Sequence, residues 1–120
     1  MKVAELEGAL LDVWVAKAEG AAVYQDAYGD TWDGNRTYRP STDWTRGGPI
    51  IERERIILKP YDDGYWGAGY EFDHDARGGM FYMNRSQEGE TPLIAAMRAY
   101  VASKFGEEVP DAVDSGGERL

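Results

Sequence analysis

Ser41, Thr42, Asp43, Trp44 and Arg46 stand in one short run that leads into Gly47-Gly48-Pro49. Hydroxyls, a carboxylate, a flat ring and a guanidinium ahead of two glycines and a proline are the parts of an anion site. Unpaired N–H groups at a helix start attract negative charge, glycines admit a close ligand, Arg46 adds a full charge, and Trp44 can stack on a planar ring. The candidate ligand-binding set is therefore Ser41, Thr42, Asp43, Trp44, Arg46, Gly47 and Gly48, and the ligand class is a small anionic, nucleotide-like molecule. The competing reading is structural. Ser41, Thr42 or Asp43 caps a helix and Trp44 packs on a sheet, which is the commoner use of these residue types.

Other constellations carry less chemistry. His74 is the single histidine, flanked as Asp73-His74-Asp75, but neighbouring side chains on a strand diverge, so a solvated turn suits the triplet better than a metal centre. Asp26, Asp30 and Asp33 precede Gly34-Asn35, yet their spacing departs from a calcium loop and no bidentate Glu closes it; the acids keep a mobile loop soluble. No cysteine is present, which removes disulfides, thiolate zinc sites and cysteine nucleophiles together. With one histidine in an acidic turn, no catalytic constellation forms, so the expectation is a binding protein, not an enzyme, with no cofactor and no metal.

Charge narrows the partners. Twenty-two acidic against thirteen basic residues leave a net charge of −9 over 120 residues, with no two basic residues adjacent. Such a chain is repelled by phosphate backbones and anionic lipid, so direct nucleic-acid and membrane binding are disfavoured, while a basic protein partner, or mimicry of a nucleic acid's charge, remains open. No stretch approaches the roughly 20 apolar residues that span a bilayer, and the acidic start does not resemble a signal peptide, which points to the cytoplasm. Hydrophobic residues make up 42% of the chain, enough for one folded core.

The elements that must position these residues can be read from periodicity. Over residues 4–19, Leu6, Leu10, Val13, Trp14 and the stem of Lys17 form a helical stripe that ends at Gly20. Residues 21–40 show neither period and read as a long connection with one short strand near residues 22–25. A short helix is expected over residues 49–55 with Pro49 as its first residue, although a cap at residues 41–43 would start it earlier. Three strand-like runs follow at residues 56–59, 65–72 and 80–83, joined by turns at 62–64 and 76–79. Thr91 as cap, Pro92 as first residue and Gly106 as terminator bound a final helix. The fold class is α+β: a small α-β-α sandwich in which a three-stranded antiparallel meander packs with an N-terminal helix, a C-terminal helix and one short helix. Residues 1–109 form one domain, and residues 110–120 form a flexible acidic tail.

Three segments carry a family resemblance. Gly8-Ala9-Leu10-Leu11-Asp12 with Trp14-Val15-Ala16-Lys17-Ala18, Ser41-Thr42-Asp43-Trp44 running into Gly47-Gly48-Pro49-Ile50-Ile51-Glu52, and Thr91-Pro92-Leu93-Ile94-Ala95-Ala96-Met97-Arg98-Ala99-Tyr100-Val101 resemble the NinX-like phage and prophage proteins, a family of unknown function. The layout is also similar to phage α-β-α sandwich domains. The resemblance covers roughly residues 3–109, and the chain departs from it in the long loop at 24–38 and the extended meander at 65–83. The resemblance implies phage origin, and so the cytoplasm of the bacterial host, together with the fold, but no activity. Joined to the candidate site at residues 41–48, the expectation is a phage-encoded accessory protein of host takeover or counter-defence that sequesters a small anionic or nucleotide-like ligand. The alternative is an acidic inhibitor or adaptor acting on a host protein, and a homo-oligomer is a third arrangement.

Overall fold

The computed structural model describes residues 1–70 and 86–111. Its elements run in the order 3-10 turn (Val3–Glu5), α1 (Gly8–Glu19), β1 (Tyr24–Gln25), β2 (Thr31–Asp33), β3 (Arg36–Thr37), α2 (Trp44–Glu54), β4 (Ile57–Pro60), β5 (Trp66–Gly69), β6 (Gln87–Gly89) and α3 (Pro92–Phe105). The fold is α+β, with three α-helices and two three-stranded antiparallel sheets among the described residues. The Asp73-His74-Asp75 triplet, the 76–79 turn, the expected strand at 80–83 and most of the tail lie outside them.

Helix α3 forms as its end signals predict. Thr91 Oγ1 accepts from the Ile94 N–H at 3.1 Å, Pro92 occupies the first turn, and the Gly106 N–H returns to the Ala102 carbonyl at 2.8 Å. The helix is buried on most of its circumference: Leu93, Ala95, Ala96, Met97, Ala99, Tyr100, Val101 and Ala102 are all buried. It touches β4, β5 and β6 on one side and α1 and α2 on another. Four of those buried residues are alanines, whose small side chains let backbones approach. The neighbours reciprocate with glycine. A Cβ on Gly89 of β6 would stand 2.7 Å from the Ala95 nitrogen, and one on Gly47 of α2 would stand 2.6 Å from Leu93 Cδ2 and run into the Pro40 carbonyl.

Helix α1 starts later than the residue-4 expectation, because the chain makes a 3-10 turn and then passes through extended Leu6 and Glu7 before Gly8. Its buried residues are Leu11, Asp12, Trp14, Val15 and Ala16, a wider set than the stripe of Leu6, Leu10, Val13, Trp14 and Lys17. The reason is that α1 is covered twice, by α3 and by β2. Trp14 meets Phe105 edge-to-face with ring centroids 5.3 Å apart, and Trp14 and Met97 belong to one core.

Residues 21–40 are more ordered than a connection with one strand. They form a meander, β1-β2-β3, with Tyr24 opposite Trp32 and Trp32 opposite Thr37. Its strands are two or three residues long, too short for a period to register. Helix α2 begins at Trp44, and Pro49 lies inside it, so the expected start at Pro49 gives way to the earlier start that an Asp43 cap allows. The second sheet has the order β4-β5-β6. Its first two strands match the expected runs with shifted ends, and its third, Gln87–Gly89, went unread because Gln-Glu-Gly has neither alternation nor β-branched residues.

The two ends of the described chain meet. Val3 N–H donates to the Glu107 carbonyl and Val109 N–H to the Met1 carbonyl, both at 2.9 Å. Arg98 reaches out of α3 to bind the Leu6 carbonyl at 2.8 Å and the Glu88 carbonyl at 2.7 Å, tying the first segment and β6 to the central helix.

Because Met97 is wholly buried between α1 and the sheet, Met97→Ala should destabilise the protein by about 2–5 kcal/mol. Urea unfolding followed by tryptophan fluorescence measures this, and a loss below about 0.5 kcal/mol, the range of surface substitutions, would contradict the central placement of α3.

Candidate functional site

The start of α2 is built from a tight turn. Thr42 N–H and Asp43 N–H both donate to the Arg39 carbonyl, at 3.0 and 2.8 Å, which brings Asp43 to the cap position in an extended conformation. Asp43 Oδ1 then accepts from the Thr45 N–H at 3.0 Å, while its carbonyl accepts from the Arg46 and Gly47 N–H groups at 3.0 and 2.8 Å. The Asp43 carboxylate thus sits where an incoming anion would gain from the helix dipole, and it already takes the donor that such an anion would use.

The other members of the set face different ways. Ser41 is buried, and its N–H donates to Asp12 Oδ1 of α1 at 2.9 Å. Gly47 is buried against Pro40 and Leu93, and Gly48 lies under the Trp44 ring. Arg46 turns toward the first sheet, where Nη1 donates to Asp33 Oδ2 at 3.2 Å and the guanidinium lies 5.1 Å from the centre of the Tyr38 ring. Burial, with the charge of Glu19 second, pushes the Tyr38 hydroxyl up to about 12. Thr42 and Trp44 remain toward solvent, Trp44 with 53% of its surface exposed. The turn therefore brings Asp43 and the N–H groups of residues 45–47 together, sends Ser41 and Gly47 inward, and spends Arg46 on the meander.

Two polar constellations escaped the sequence reading. Asp12 is a carboxylate 3% exposed inside α1; burial raises its pKa, and the hydrogen bond from the Ser41 N–H and the charge of Arg39 work against that rise. The second joins three helices: Arg53 of α2 donates to Glu19 of α1 through Nη1 at 3.1 Å and Nη2 at 2.6 Å, and Tyr100 of α3 donates to the same carboxylate. The Arg53 hydrogen bonds hold the Glu19 carboxyl below its usual range, with burial opposing and Tyr100 assisting. A carboxylate within the apolar part of α1 is the signal that could have revealed Asp12. Nothing in sequence spacing links residues 19, 53 and 100.

The three aspartates of the meander are likewise spent on structure, which replaces the expectation of a solubilising mobile loop. Asp26 accepts from Tyr28 N–H at 2.9 Å, Asp30 N–H at 3.0 Å and Trp32 Nε1 at 2.9 Å. Asp30 pairs with Arg39 and Asp33 with Arg46. Among the described residues no group of acids and histidine is placed to hold a metal ion.

Other acids gather around the 3-10 turn, β6 and the end of α3. Glu5, Glu7, Glu88, Glu90, Glu107 and Glu108 are exposed and form no ion pairs with side chains among the described residues. The backbone pairing of residues 1–3 with 107–109, and the bonds of Arg98 to Leu6 and Glu88, gather the segments that carry them. Two shallow depressions of about 360 and 440 Å³ lie there, sharing Gln87 and Glu107. Among the described residues Lys2, Arg98 and the Met1 ammonium are the cations of this face; Arg98 is occupied by backbone carbonyls, and the ammonium by the Val109 carbonyl and Asp111.

A small α+β fold held around a buried C-terminal helix, with a capped α2 turn and an acidic end, defines the class of protein. Residues 2–104 match the family model described as Bacteriophage P22, NinX, and the chain belongs to that family. It is a phage protein. No curated protein matches the chain. No helix among the described residues is long and apolar enough to cross a membrane.

Two outcomes test this geometry. Arg46→Ala should lower stability by about 1 kcal/mol, since a half-exposed ion pair contributes at most about 1 and a cation–π contact about 0.5–1. Thermal unfolding reads this, and an unchanged midpoint would show that Arg46 is free. Acid should also weaken the three-helix network. Glu19 has a lowered pKa when folded, so its contribution is complete above its ordinary value of 4.5 and is lost as pH falls through the lowered value. Asp12, with its raised pKa, acts in the opposite sense, because the folded state takes up its proton more readily. Glu19→Gln should therefore flatten the acid limb of a stability-against-pH curve, and an unaltered slope below about pH 5 would contradict the network.

Proposed function

We propose that this phage protein is a non-catalytic accessory protein that acts in the host cytoplasm by binding a basic surface of a host protein through its acidic end. The observation that supports this reading is the split in how its acids are used. At the meander and the start of α2 the carboxylates are consumed by caps and ion pairs, whereas the six glutamates around the 3-10 turn, β6 and the end of α3 face solvent with no ion pair to a side chain among the described residues. Unpaired charge of one sign on one face accelerates encounter with a surface of the opposite sign and discriminates against acidic partners. A site of that kind needs no deep cavity, and the depressions beside Gln87 are shallow.

The sequestration of a small anionic ligand at the start of α2 is the competing reading. It keeps one point in its favour, the exposed ring of Trp44. The electrostatics favour the acidic end, because an anion at α2 would have to displace the Asp43 carboxylate from the helix terminus.

Immobilised protein, incubated with host lysate and washed in rising salt, distinguishes the two. The expected result is a host protein whose association rate falls by about tenfold or more between roughly 50 and 500 mM salt. The triple reversal Glu88→Lys, Glu107→Lys, Glu108→Lys should abolish its capture. Capture that is indifferent to the reversal would sink the proposal. A nucleotide-induced rise in melting temperature that disappears in Trp44→Ala would establish the ligand reading instead.

A further inference from the structure

We infer that the outer face of the meander is a self-association surface through which two copies of this chain meet. Tyr24, Trp32 and Thr37 lie directly across from one another in register, so their side chains share one face of the sheet. The opposite face is turned inward: Thr31 is buried and Asp33 reaches Arg46 of α2. On the outer face Tyr24 is 55% exposed, and Tyr28, at the tip of the β1–β2 turn, is 91% exposed. This is a half-uncovered aromatic surface on a sheet, and hydrogen bonds brace the Tyr24 and Trp32 side chains and the backbone of Tyr28. The Asp26 carboxylate holds Tyr28 N–H, Asp30 N–H and the Trp32 ring, and the Tyr24 hydroxyl donates to the Gly34 carbonyl at 3.0 Å. Aromatic side chains held in place lose little conformational freedom on binding, which suits them as anchors.

Charge selects a second copy as the occupant. Residues 24–46 contain four aspartates and three arginines, so all but one of the nine net negative charges lie elsewhere in the chain. Two copies repel each other through their acidic remainder but can meet at this nearly neutral end. The face also carries both signs, since Arg39 and Asp30 form an exposed ion pair at its edge. An isologous contact requires one surface to complement itself, and mixed charge around an aromatic centre does so. The inference is independent of the acidic-end proposal and has the opposite response to salt. Screening the net charge strengthens contact between two acidic copies, whereas it weakens binding to a basic partner.

Sedimentation velocity on the full-length protein, from about 10 μM to 1 mM at low and high salt, provides the test. The expected result is a monomer–dimer equilibrium that shifts toward dimer as salt rises. Tyr28→Glu and, separately, Thr37→Glu should each weaken it by about tenfold or more, the effect of disrupting a central contact. Both side chains are exposed, so the melting temperature should hold, and circular dichroism confirms that each variant is folded. A monomer across the whole range would overturn the inference. So would a dimer indifferent to both substitutions, or one that dissociates as salt rises.

Discussion

Helix α3 has almost no face left for solvent, and the rest of the fold is arranged to satisfy that constraint. A helix apolar on nearly all sides must be covered on nearly all sides, so the second sheet lies on one flank and α1 and α2 on another. Alanines at 95, 96, 99 and 102 make the cover close, and Gly89 and Gly47 supply the matching absence of side chain on the approaching elements. Once the backbones are that near, substitution of either glycine displaces a whole element, because the added atom meets backbone, together with Leu93 at Gly47 and Ile94 at Gly89.

Polar contacts then fix elements that apolar burial alone would let slide. The Glu19 carboxylate joins the ends of α1 and α2 to Tyr100, Asp12 holds the turn before α2, and Arg98 anchors the first segment and β6. A buried carboxylate left without its donor costs several kcal/mol, so these contacts favour one arrangement over near alternatives. They also explain why the start of α2 offers so little to a ligand. The groups that could receive an anion are engaged in holding the turn, the helix and the meander together.

The resulting charge distribution is uneven, and it matters more for function than the total. Carboxylates near the meander are neutralised by arginines or absorbed by N–H donors, while among the described residues Glu5, Glu7, Glu88, Glu90, Glu107 and Glu108 have no ion-pair partner. One molecule therefore presents an aromatic, nearly neutral end and an acidic end. The first tolerates contact between like molecules and the second favours contact with unlike ones.

Local signals were decisive where physics is local. Thr91-Pro92 and Gly106 bounded α3 because a cap acts within one turn, and the α+β class followed from periodicities that each element carries by itself. The family was legible from three helical segments for the same reason, since they hold most of the buried contacts. The meander was not legible, because strands of two and three residues have no period and are stabilised by Asp26 and by packing on α1. Nor was the fate of the candidate site. Residues 41–48 are equally suited to binding an anion and to capping a helix, and the outcome depends on Asp12, Asp33 and Tyr38 arriving from elsewhere in the chain to claim Ser41 and Arg46. Sequence determines which groups are available to form hydrogen bonds; tertiary structure decides which of them are already taken, because the competing partners are distant in the chain and adjacent only after folding.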